Sequence, residues 1–170
     1  MKLTLFIFTL SIVFAPLTPR PIFAGPLDDA PFRIVVPNSE WRRGNSTVQL
    51  MGGDVSVAAI ISNTNKMLKS AVIKAVLKEP LPSSLDNLCA GMRDIYTNSP
   101  VKMISVVDTT FLGFKARALT FQITKGKETL HNEMMVFVAD HSGWMIVCSG
   151  RLDQKEEIKK MFDFYEKKAG

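Results

Sequence analysis

FKARALTFQITKGKETLHNEMMVFVADHSGWMIVCS, residues 114–149, is the stretch whose reading decides the fold. Leu119, Phe121 and Ile123 alternate with Thr120 and Gln122, the two-residue period of a strand with one apolar and one wetter face. Lys125 to Glu128, with Gly126, is a short polar turn, and Asp140, His141, Ser142 and Gly143 make a tighter one. Between them the pattern predicts strands over 114–124, 132–139 and 144–149, and connections this short join only antiparallel neighbours. Gly113 breaks the chain before Phe114, so 103–109 joins the same meander from upstream.

Working outward, residues 32–36 read as a strand closed by Pro37 and Asn38. Residues 47–51 and 55–61 flank Gly52, Gly53 and Asp54, which predicts a hairpin. The stretch 66–78 fits two patterns: its branched residues favour a strand, while Met67, Leu68, Ala71, Val72, Ala75 and Val76 also fit a helical stripe. Past Pro80 and Pro82 the period changes to 3.6. Leu85, Leu88, Cys89, Met92, Ile95 and Tyr96 then share one helix face, capped by Ser83 or Ser84 and stopped by Asn98 and Pro100. A last helix begins with Asp153 three residues before Glu156, as in a capping box, and stacks Ile158, Met161, Phe162 and Tyr165 as its docking face. The expected class is α+β: an antiparallel sheet of about seven strands with two amphipathic helices packed against it.

Lys2, the apolar run 3–15 and the small residue Ala24 together have the form of a secretory signal peptide. The run is shorter than the roughly 17 residues that cross a bilayer, and Pro16, Pro19 and Pro21 interrupt any extension of it. The expectation is a leader over 1–24, a single α+β domain over 25–170, a periplasmic or secreted location, and no stable membrane insertion after cleavage. Loss of Lys2 and Arg20 with the leader lowers the net charge from +5 to about +3. That charge is interspersed with acids, as in Lys155, Glu156, Glu157, Lys159 and Lys160, which argues against nucleic acid as a partner. An oxidising compartment favours a disulfide, and Cys89 can pair only with Cys148; two buried free thiols are the alternative.

Phe32-Arg33-Ile34-Val35-Val36-Pro37 followed by Trp41, the helix after Leu81, Gly113 leading into Phe114-Lys115-Ala116-Arg117-Ala118, and the closing hairpin and helix resemble the PsbP-like fold group. That group holds the extrinsic PsbP proteins of photosystem II, bacterial DcrB-like envelope proteins and a yeast Ran-binding factor. The resemblance spans most of residues 32–168. It implies a PsbP-like sandwich and an accessory, assembly, binding or immunity role without catalysis, and it carries no family functional residue onto this chain.

The residues themselves offer little chemistry. Neither cysteine has an adjacent histidine or a clear helix N-terminal place that would activate it. His131 and His141 fall in or beside the turns at opposite ends of one strand, where both read as solvated turn residues and cannot share one metal ion. The methionines, among them Met134, Met135, Met145 and Met161, read as core filling and not as copper ligands. We therefore expect no catalytic residue, no metal and no cofactor. The expected activity is binding to an envelope or secreted protein, through a patch formed by Trp41, Arg42, Arg43, Lys125 and His141. The alternatives are a small apolar ligand held between the sheet and the 85–96 helix, and, behind it, a hydrolase with a dispersed site.

Overall fold

The computed structural model describes residues 27–44, 55–76, 85, 86, 88, 89, 101–140 and 142–169. Its strands are β1 (Phe32–Ile34), β2 (Arg42–Gly44), β3 (Val55–Asn63), β4 (Leu68–Val76), β5 (Val101–Phe111), β6 (Phe114–Lys125), β7 (Glu128–Ala139), β8 (Ser142–Arg151) and β9 (Tyr165–Lys167). Seven of them form one antiparallel sheet in the order β2-β3-β4-β8-β7-β6-β5. β1 and β9 pair separately, with Phe32 opposite Lys167 and Ile34 opposite Tyr165.

The meander of 103–149 is present, and its turns explain its register. Phe111 faces Phe114 across Leu112 and Gly113, whose φ values of 52° and 84° are both positive, as a two-residue hairpin turn of right-handed twist requires. Gly113 takes that backbone without strain, and Leu112 pays a small steric cost beside it. Within the stretch 66–78, Leu68–Val76 is strand β4, whose alternate residues Ser70 and Val72 are buried in the sheet beside β8.

Two amphipathic helices are not borne out among the described residues. The one helix described over its whole length, α1 (Lys155–Lys160), is six residues long and lies between 3-10 turns at Leu152–Gln154 and Met161–Phe164. Its expected stripe is nonetheless buried at Ile158, Met161 and Tyr165, since one residue from each successive turn still meets the sheet. Tyr165 extends into β9 because β1 offers it a strand partner. Asp153 does not cap α1 either: its carboxylate binds Arg151, and the Gln154 side chain accepts the Arg151 N–H at 2.9 Å. Of the other predicted helix, Leu85, Asp86, Leu88 and Cys89 are helical, and the rest lies outside the described residues. So do the leader, the 47–51 strand and His141.

The sheet separates two cores. On one face Phe32, Phe137, Trp144, Ile146, Ile158, Met161 and Tyr165 pack together; on the other, Leu119, Phe121, Met134, Val136, Met145 and Cys89. Alternation along β8 assigns Trp144, Ile146 and Cys148 to the first face and Met145 to the second.

Candidate functional site

The register of six strand pairs aligns Arg43, Ile61, Ser70, Cys148, Glu133, Thr120 and Ser105 in one row across the first face. Its interior is polar and buried. Ser70 Oγ lies 2.5 Å from the Tyr165 hydroxyl and 3.3 Å from Cys148 Sγ, Thr120 Oγ1 donates to Glu133 Oε2 at 2.8 Å, and His131 Nε2 lies 2.8 Å from Glu133 Oε1. Such a row costs little only when its members satisfy one another. Here they do, apart from His131 Nδ1, which has no partner among the described residues.

Burial keeps the thiol and phenol of this row neutral. Burial pushes the Cys148 thiol up to about 12, with the Ser70 hydrogen bond opposing weakly and the Glu133 charge adding to the rise. A thiol held neutral is neither a nucleophile nor a ligand. Burial, reinforced by Cys148, also drives the Tyr165 phenol well above its ordinary range. His131, expected in a solvated turn, is 3 % exposed inside β7, because that strand begins at Glu128, earlier than its apolar run indicates.

The expected Cys89–Cys148 bridge is absent, and both are buried free thiols. Cys89 belongs to the second core and Cys148 to the first, so the sheet stands between them. The expected partner patch is likewise divided. Trp41 packs edge-on against Phe164 at 4.8 Å, and Arg42 and Arg43 form the exposed edge strand β2. Lys125 ends β6, five strand positions away, or about 24 Å at the usual spacing.

The second face holds what the sequence reading missed. Arg117, on β6, reaches Asp108 Oδ1 on β5 at 2.8 Å and Asp86 Oδ1 in the helical segment at 2.5 Å. Hydrogen bonds to Asp108, then Asp86, hold the guanidinium protonated more firmly than usual. Cys89 takes a further bond from Arg117, yet burial outweighs it and raises the thiol above its ordinary value. Beside this cluster is a cleft of about 310 Å³ lined by Cys89, Met103, Val106, Asp108, Arg117 and Leu119. The pairing of Asp108 with Arg117 has a sequence signal: both lie four residues from the two-residue turn at Leu112 and Gly113, so they must face each other.

β5 itself is the end strand of the sheet, and among the described residues its outer edge has no partner strand. It is eleven residues long and exposes Ile104, Val106 and Val107 at 48, 42 and 55 %. A bulge at Ile104, between Met103 and Ser105, interrupts its pairing with β6.

No family model matches the chain, and no curated protein does. Solved structures do. The solution structure of cyanobacterial PsbP (CyanoP) from Synechocystis sp. PCC 6803 is 12 % identical, with 81 % of this chain and 87 % of that one covered at a TM-score of 0.56. A protein of unknown function, PA94 from Pseudomonas aeruginosa, is 8 % identical over 72 % of this chain and 76 % of its own, at a TM-score of 0.49. LpqN of Mycobacterium tuberculosis, involved in cell envelope biogenesis, is 14 % identical over 78 % of each chain, at 0.47. The chain has the PsbP-like fold.

Proposed function

We propose that this chain is a non-catalytic accessory protein of the cell envelope that binds another protein, and that an extended segment of the partner adds to the sheet along β5. The exposed aliphatic edge carries this reading: Ile104, Val106 and Val107 lie on a long end strand whose backbone groups face outward. Edges of this kind pair readily with incoming strands, and proteins that do not use them usually blunt them. β2, at the other end of the sheet among the described residues, presents two exposed arginines instead of aliphatic side chains. The signal-like start of the chain supports an exported location, and the shared fold is compatible with an accessory role.

Site-specific photocrosslinking in cells tests this reading, with the reactive group placed at Val107 in one variant and at Arg42 in another. A discrete adduct from position 107 and none from position 42 is expected. Adducts at neither position, or equally at both, would remove the β5 edge as the binding surface. A second reading is a small ligand held in the 310 Å³ cleft, where Cys89, Met103, Val106 and Leu119 meet the charged Asp108 and Arg117. Native mass spectrometry of freshly extracted protein separates the two, because a bound small molecule adds a fixed mass.

A further inference from the structure

The cleft on the second face lies directly beside the edge where the partner segment would pair. Cys89, Met103, Val106 and Leu119 give it an apolar wall, and Asp108 and Arg117 stand at its rim. A second hollow of about 280 Å³ shares those two rim residues and extends to Asp86, with Lys115 as the other charged residue in its described lining.

Hydrogen bonding at the rim is one-sided. Arg117 is engaged by Asp86, Asp108 and Cys89, and its side chain is only 25 % exposed. The two carboxylates that hold it remain 65 and 82 % exposed, so the unused capacity at the rim is that of acceptors. At the rim of the larger cleft an incoming anion would have to displace a carboxylate from Arg117, whereas an incoming cation meets exposed carboxylates whose partner among the described residues is Arg117, with Lys115 set back in the second hollow. Register places Val106 opposite Leu119 and Asp108 opposite Arg117, on the same face of β5. A strand added to β5 therefore brings alternate side chains over this cleft.

Resting on the β5-edge reading, we infer that the cleft receives a lysine or arginine side chain from the bound segment. Its methylene stem lies along Met103, Val106 and Leu119, and its cationic head binds Asp108 and Asp86. Long basic side chains divide themselves in this way between apolar surface and charge. The second face thus supplies side-chain specificity, and the β5 backbone supplies the generic pairing.

Selection of a phage-displayed random-peptide library against the purified domain tests the inference, with binding of recovered peptides measured by fluorescence anisotropy. Binders are expected to alternate branched apolar residues around one Lys or Arg. The Asp86→Asn/Asp108→Asn double variant should weaken them roughly tenfold or more, and replacing the peptide's basic residue with Met should erase that difference. Val106→Phe, which narrows the cleft from an exposed position, should weaken the same peptides if the double variant does not fold. Binders that lose affinity to Val107→Asp but carry no basic residue, or ignore both cleft variants, overturn this inference and leave the edge reading standing. If no peptide is sensitive to Val107→Asp, or the domain dimerises through β5 and excludes peptides, the edge reading falls with it.

Discussion

The two faces of the seven-stranded sheet are closed by different means. On the first, Phe32 meets Phe137, Trp144 and Tyr165 at ring separations of 6.1, 5.3 and 5.7 Å, all edge-on, and the terminal turns and β9 complete the cover. On the second, Phe121 with aliphatic and thioether side chains lies under a segment tied down by the ion pairs of Arg117, and both hollows open there. Edge-to-face rings interlock in a direction-dependent way. Ion pairs near solvent hold a segment in place with little net energy and without filling space. The first face is therefore the more tightly interlocked one, and the second retains open space beside its core.

The largest expected effect separates the two cores. Phe137→Ala should lower unfolding free energy by about 3 to 5 kcal/mol, because a fully buried ring leaves a cavity that its interlocked neighbours do not collapse into. Leu119→Ala should fall near the low end of about 2 to 5 kcal/mol, since it enlarges a cleft that already admits solvent. Urea denaturation of both variants gives the comparison, and equal losses would break it.

Next comes alkaline stability. Cys148 and Tyr165, both on the first face, have folded pKa values raised above their unfolded ones. The unfolded chain releases these protons first, so stability is intact below about pH 9 and falls as pH rises toward the folded values. With about 1.4 kcal/mol per pKa unit, the Cys148 contribution alone amounts to a few kcal/mol at high pH. Cys148→Ser should flatten the fall in a pH series of thermal melts. An unchanged slope would show that the thiol is not desolvated as described.

Thiol reactivity sharpens the same contrast on a smaller scale. Native alkylation with iodoacetamide at pH 8 should modify Cys89, at the cleft wall, well before Cys148, and intact mass should show both thiols free beforehand. Labelling at equal rates would mean that the first face opens as easily as the second. The smallest effects belong at the edges, where Ile104→Lys and Arg42→Glu should each change stability by no more than about 0.5 kcal/mol. A larger loss from Ile104→Lys would mean that the isolated domain already covers β5.

Much of the fold is legible in local pattern. The two-residue alternation around Phe121, the breaks at Gly113 and Gly126, and the apolar run of 132–139 predict the β5-to-β8 meander, since short turns leave strands no other way to pair. The helical readings fared less well for a physical reason. Ile158, Met161, Phe162 and Tyr165 have helical spacing, but the spacing specifies only which side chains are buried, and 3-10 turns with a strand end bury them too. The cysteines show the same limit: two thiols in a chain expected from its sequence to be exported suggest a bond, but whether they share a face depends on strand parity and on which layer the helical segment joins.

By itself the amino-acid order determined the antiparallel sheet, the meander with its tight turns, and many of the apolar residues that the sheet buries, because all of these follow from interactions between near neighbours in the chain. Only tertiary structure decided that Cys89 and Cys148 lie on opposite sides, that His131 is buried against Glu133, and that β2 and β5 are the two ends of the sheet among the described residues. Strand order is set by contacts between residues far apart in sequence. An edge, a cleft or a facing pair exists only once those distant contacts have formed.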